Sequence, residues 1–170
     1  VGQDHVRIAV NISPPQLMDE DFVDYVAICI ASTGIRAEQL DLEITEGVLI
    51  EAMEENVAKL RRLQELGIML SLDDFGTGYS SLTYLKSLPV GILKIDKSFI
   101  DRICEDQMQL ELVGSIINLG HTMQLEVVAE GVETAEQFDL LRALDCDRMQ
   151  GYFFSKPVAE DEAVALLRAK

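Results

Sequence analysis

The 170-residue chain has no tryptophan, two histidines, three cysteines and four prolines. It carries 14 basic residues against 30 acidic ones, a formal net charge of -16. So large an acidic excess excludes a partner built like long nucleic acid, which needs a basic footprint. A small anionic ligand stays compatible with it where a metal ion or a lysine neutralises the site locally. Cys29, Cys104 and Cys146 lie far apart, without CxxC spacing or an even count. They read as buried or incidental thiols of a reducing compartment. With so few histidines and cysteines, a soft-metal cluster is ruled out, and His5 and His121 are taken as surface or structural residues. The apolar runs, such as residues 23–31, are too short and interrupted to span a membrane. The opening residues lack a basic segment followed by an apolar one, so no signal peptide is read there.

Apolar residues make up 48% of the chain and charged ones 26%, the balance of a globular domain with a substantial core. Strand and helix patterns alternate from end to end, without repeats, low complexity or a linker. Strands are predicted at residues 6–12, 40–45, 68–72, 91–95, 125–129 and 147–150. Helices are predicted at residues 21–31, 51–66, 80–87, 107–123, 134–144 and 159–168, and Pro14 and Pro15 are expected to break the first strand. Such alternation implies parallel βα units joined by right-handed crossovers. About six units are counted where a closed (β/α)₈ barrel has eight. An open doubly wound sheet and a barrel lacking a quarter of its wall both satisfy that count.

The stretch SLDDFGTGYSS, residues 71–81, organises the chain. A buried strand ends there in two adjacent carboxylates, Asp73 and Asp74, followed by a loop with Gly76 and Gly78. One Asp-Asp pair would ordinarily be a turn or a helix cap. The same pattern recurs, however, at strand end after strand end: Asn11, Glu43, Asp73 with Asp74, Lys94, Glu130 and Gln150. In a parallel sheet these ends share one rim, and buried charge is costly unless it is paired or metal-bound. An amide and several carboxylates favour a hard cation such as Mg²⁺ or Mn²⁺.

These motifs in this order resemble the EAL domain of bacterial cyclic di-GMP phosphodiesterases, over essentially the whole chain. The resemblance rests on Asn11-Ile12-Ser13, Glu43-Ile44-Thr45-Glu46, DDFGTGYSS from Asp73 to Ser81, Lys94-Ile95-Asp96, EGVET from Glu130 to Thr134, and Gln150-Gly151-Tyr152. It implies a TIM-type barrel with a two-metal site at the strand C-termini and hydrolysis of cyclic di-GMP to linear pGpG. By the same resemblance Asn11, Glu43, Asp73, Asp74 and Glu130 match metal ligands. Glu130 also matches the residue often assigned as general base, and Lys94 the lysine that holds the attacking water. Gln150 matches the guanine side of the site and Asp96 a further site position on the substrate side. Glu46 matches the glutamate that anchors the loop Phe75, Gly76, Gly78 to Ser81, and Glu133 is grouped with these regulatory positions. A cytoplasmic setting, a homodimer, and fused sensory or cyclase domains in a larger and even membrane-bound protein are further implications of the family.

One departure stands out. The family's eponymous Glu-Ala-Leu segment, whose glutamate is a metal ligand, and the substrate arginine after it are absent from these residues. The chain is therefore expected to be an N-terminally truncated single domain and a poor catalyst by itself. A non-catalytic cyclic di-GMP receptor or protein-interaction module is the alternative. A Schiff-base enzyme using Lys94 is a third reading, which needs an apolar pocket that lowers the lysine pKa.

Overall fold

The computed structural model describes residues 6–45, 53–76 and 85–168. Six parallel strands form one sheet: β1 Ile8–Ile12, β2 Leu40–Thr45, β3 Met69–Phe75, β4 Ile92–Ile95, β5 Glu126–Ala129 and β6 Arg148–Met149. Each strand pairs with the next in sequence, giving the order β1-β2-β3-β4-β5-β6. A doubly wound sheet reverses direction at a switch point, and this sheet does not. The sequential order is that of a (β/α) barrel wall, which resolves the two architectures left open by the sequence.

The interior strands are apolar on their outward face because helices cover it. Leu42, Ile44, Leu70, Leu72, Leu93, Ile95 and Val127 are all at most 4% exposed. Against their outer face pack Leu60 and Leu63 of the helix Met53–Glu65, and Val113 and Ile117 of the helix Gln107–Thr122. β1 differs: Ile8 and Val10 are 56% and 44% exposed. Among the described residues β1 is an outer strand of the sheet, paired with β2 alone.

The element boundaries bring two corrections. Pro14 and Pro15 do end β1, but they also open a helix, Pro14–Met18, at its first positions. Proline is pre-organised there because the first helical N–H groups have no intrahelical acceptor. Ser13 completes the start, its amide donating to Gln16 Oε1 at 3.0 Å. A second short helix, Lys97–Ile100, follows β4, capped by Asp96, whose carboxylate accepts from the Ser98 amide. Most of the helix predicted over residues 80–87 lies outside the described residues, as do Glu46, Gly78 and His5.

Candidate functional site

The parallel register aligns side chains across the sheet. Asn11 pairs with Glu43 and Glu43 with Ser71, while Thr45 pairs with Asp73 and Lys94 with Val128. Alternate residues share a face. Glu43, Asp73, Lys94 and the residue after β5, Glu130, therefore meet at the C-terminal end of the sheet. The Lys94 ammonium stands 2.6 Å from Glu43 Oε1, 2.7 Å from Glu130 Oε1 and 3.1 Å from Asp73 Oδ1. All four side chains are largely buried, Lys94 being only 7% exposed.

One ammonium among three carboxylates leaves the centre short of positive charge. Burial pulls the Lys94 pKa down, but hydrogen bonds to Glu130 and Glu43 and the charges of Glu130 and Asp73 outweigh it, and the net shift is upward. Lys94 is thus a fixed cation at neutral pH. That direction runs against the Schiff-base reading, which requires a depressed lysine. Glu130 is pushed upward, first by burial and then by Asp73 and Glu43, against the pull of Lys94. Asp74 shifts upward as well, from burial and from the charges of Asp73 and Asp96, with Lys94 opposing.

Asp73 Oδ1 is buried and accepts no hydrogen bond among the described residues, its contact being the ion pair with the Lys94 ammonium at 3.1 Å. A buried carboxylate oxygen of this kind calls for an electron-poor partner. Asp74 adopts φ 54°, and the β3–β4 register shifts between Leu72 and Phe75. Such an irregularity re-aims side chains at a strand end. It brings the second aspartate within electrostatic range of Asp73, Lys94 and Asp96. Among the described residues no three His, Cys, Asp or Glu side chains stand at metal-ligand spacing, and the ammonium bridges the carboxylates instead. The donor set itself, hard oxygens with an excess of negative charge and an unsatisfied carboxylate oxygen, fits Mg²⁺ or Mn²⁺.

The remaining predicted residues surround this centre without joining it. Asn11 lies on β1 beside Glu43 in register and is exposed. Asp96 spends one carboxylate oxygen on its helix cap, taking the Ser98 amide at 3.0 Å. Glu133 pairs with Lys97 at the rim. Phe75 is buried, and a side chain at Gly76 (φ 99°) would strike the Phe99 ring at 2.7 Å. Gln150 stands where two cavities meet. One, of about 210 Å³, runs along the sheet interior past Asp41, Glu43, Ser71 and Lys94; the other, about 680 Å³ and open, follows residues 149–158 past Tyr152 and Lys156.

Two features escaped the sequence reading. Ser71 Oγ donates to Asp41 Oδ1 at 2.6 Å in the buried sheet interior. Period-two spacing from Asp73 and Glu43 was the available signal. The buried Gln137, visible in sequence only as the third helical residue after the Thr134 cap, ties several segments together.

A family model described as EAL domain matches residues 2–157. The chain is 43% identical over 168 residues to the cyclic di-GMP phosphodiesterase NbdA of Pseudomonas aeruginosa, covering 99% of this chain and 22% of that protein. It is 43% identical over 155 residues to the oxygen sensor protein DosP of Escherichia coli, covering 91% of this chain and 19% of that protein. It therefore spans about a fifth of the length of these curated relatives. Among solved structures, the PaMucR phosphodiesterase in complex with c-di-GMP superposes with a TM-score of 0.91 at 38% identity, over 95% of this chain and 66% of that one. The EAL domain of Mycobacterium smegmatis DcpA gives 0.91 at 39%, over 96% and 73%. The manganese and cy-diGMP complex of Klebsiella pneumoniae BlrP1 gives 0.82 at 30%, over 89% and 39%.

Proposed function

The chain belongs to the EAL domain family, and we propose that it forms the greater part of a metal-dependent phosphodiesterase domain that opens cyclic di-GMP to linear pGpG. The observation that carries this reading is the convergence of Glu43, Asp73 and Glu130, from three different strand ends, on one buried ammonium, with Asp73 Oδ1 left unsatisfied.

In this reading Asn11, Glu43, Asp73, Asp74 and Glu130 would hold two divalent cations. When bound, such ions lower the pKa of water and draw electron density from phosphoryl oxygens. The chain's own residues do the rest. Lys94, kept protonated by its carboxylate neighbours, sets a fixed positive charge where the attacking oxygen and the phosphate gain negative charge. Glu130, raised above the usual carboxylate range, is suited to take a proton from the attacking water. Gln150 and Asp96 stand on the flanks, where a nucleotide base and its sugar-phosphate would extend. Glu46 and the loop from Phe75 through Gly76 and Gly78 supply a regulatory element: Glu46→Gln is expected to loosen the loop and weaken metal affinity together.

Because the chain spans a fifth of its curated relatives, the whole protein's activity, a homodimer, fused sensory or cyclase domains and a cytoplasmic setting all belong to the proposal. Among the described residues no helix is long and apolar enough to cross a membrane. The second reading is binding without turnover.

The test compares cyclic di-GMP hydrolysis, with Mg²⁺ or Mn²⁺, by this chain and by a form extended upstream through a Glu-Ala-Leu segment. Activity confined to the extended form, and abolished there by Lys94→Met and Glu130→Gln, supports the phosphodiesterase reading. Tight binding without turnover in both forms transfers it to the receptor reading. No binding in either overturns both.

A further inference from the structure

The segment that carries Glu130, residues 130–134, is fastened on both sides. On one side Val132 donates to Gln150 O at 3.0 Å, and the Phe153 amide to Val132 O at 2.9 Å. On the other side the Glu130 amide donates to Ile95 O at 3.1 Å, and beyond that backbone bond the fastening is a side chain. Gln137 is 6% exposed, and its Oε1 accepts from the amides of Glu133 at 2.8 Å and Thr134 at 3.1 Å. Its Nε2 donates to Ile100 O at 3.2 Å. Ile100 closes the short helix that follows Lys94 and Asp96. Past the Glu130–Ile95 backbone bond, one buried amide thus joins the stretch after Lys94 to the stretch after Glu130.

The surface repeats the tie. Lys97 pairs with Glu133, and its aliphatic stem covers Gly131, where an added Cβ would lie 2.3 Å from Lys97 Cγ. Gly131 has φ 70°, so the chain turns directly under that stem. A surface pair between half-exposed partners is weak. A buried amide making three hydrogen bonds is strong, because leaving its partners unpaired incurs their full desolvation.

We propose that Gln137 is a positioning residue of the site: by joining Ile100 O to the amides of Glu133 and Thr134, it holds Glu130 against Lys94. Its catalytic consequence rests on the phosphodiesterase reading, whereas the positioning itself does not. Among strand-end clusters of this kind, placement within about 0.5 Å depends on the shell behind the functional groups.

The test uses ¹⁵N-labelled chain, whose Lys94 ammonium is held by carboxylates and is expected to give an observable ¹H–¹⁵N signal. Gln137→Met keeps the shape and removes all three bonds. It is expected to speed amide exchange at Glu133 and Thr134 by about tenfold or more, the equivalent of one lost hydrogen bond. It is also expected to weaken or erase the Lys94 signal, with Val127 and Val128 amides unchanged. Gln137→Glu carries the comparison within one folded protein. Its protonated carboxyl still donates to Ile100 O and its ionised form cannot, so the Lys94 signal should match wild type at low pH and fall below it at high pH. A Lys94 signal that stays at the wild-type level in both variants overturns the proposal, as does faster exchange spread uniformly over all strands. In the extended form, Gln137→Met should lower kcat about tenfold with KM within about twofold; an unchanged kcat also overturns it. An inactive wild type would count against the phosphodiesterase reading alone, because the NMR comparison needs no turnover.

Discussion

Ser71 donates a 2.6 Å hydrogen bond to the carboxylate of Asp41, two residues below the level of Glu43 on the same sheet face. Ser71 is fully buried and Asp41 is 8% exposed. Removing the donor strands a buried carboxylate oxygen, a penalty of about 1–3 kcal/mol. Ser71→Ala should therefore lower the unfolding free energy by that amount, read as a lower urea midpoint with an unchanged slope. The double variant Asp41→Ala, Ser71→Ala removes both partners and should be less destabilised than the sum of the single changes. An additive double variant would show that the two side chains do not support one another.

Asp74 makes the opposite prediction. Its carboxyl is held above the usual range by burial, then by Asp73 and Asp96, with Lys94 pulling the other way. A raised folded-state pKa contributes stability that is fully present below the unfolded value and lost as pH rises through the folded one. Ionised Asp74 is therefore a liability at neutral pH. Asp74→Asn removes the charge, and asparagine tolerates the left-handed φ of 54°. The variant should have the higher urea midpoint at pH 7, and the advantage should fade below about pH 4, where the aspartate is protonated in both states. A lower midpoint at pH 7 would show that the carboxylate's attraction to Lys94 dominates.

The convergence of Glu43, Asp73, Lys94 and Glu130 was legible in the sequence because parallel strands deliver their ends to one rim, and strand ends are marked by pattern alone. Strand order was not legible: six βα units satisfy a doubly wound sheet and a barrel wall equally, and only the unbroken pairing of β2 with β3 and β3 with β4 decides. The helix opened by Pro14 was hidden because proline ends strands and starts helices with the same fixed φ. Asp96 was read only as a site residue, since capping of a four-residue helix depends on the chain's turn after β4. Gln137 falls inside the helix predicted over residues 134–144, but its reach to Ile100 spans 37 residues and is set by tertiary packing.

Gly151 is where the last strand meets the Glu130 segment. An added Cβ would lie 2.2 Å from Val132 O and 2.3 Å from Val132 N, both backbone atoms that no rotamer change can clear. Gly151→Ala must push the two segments apart and break the Val132-to-Gln150 and Phe153-to-Val132 hydrogen bonds. At about 1 kcal/mol each, the loss is about 2 kcal/mol or more. For a domain of this size that is a melting point lower by about 4–8 °C. The change should also displace Gln150, so under the proposed function cyclic di-GMP affinity should fall alongside stability. A variant that melts like wild type would mean the backbones separate without strain.

Asp147 gives the domain an acid limit. Its Oδ2 accepts from the Val127 amide at 2.8 Å and lies 2.9 Å from His121 Nε2, joining the helix Gln107–Thr122 to the starts of β5 and β6. Burial alone would raise its pKa, but the Val127 hydrogen bond and His121 outweigh it, and the net shift is downward. A depressed folded-state pKa contributes stability that is present above the unfolded value and lost as pH falls through the folded one. The urea midpoint should therefore drop as pH falls below about 4. Asp147→Asn should flatten that drop and lower the midpoint at pH 7, since the amide oxygen still accepts from Val127 but gives up its charge toward His121. Both side chains are about a third exposed, so the loss at pH 7 should be smaller than that of Ser71→Ala. A variant whose acid slope matches wild type would place the acid limit on other carboxylates.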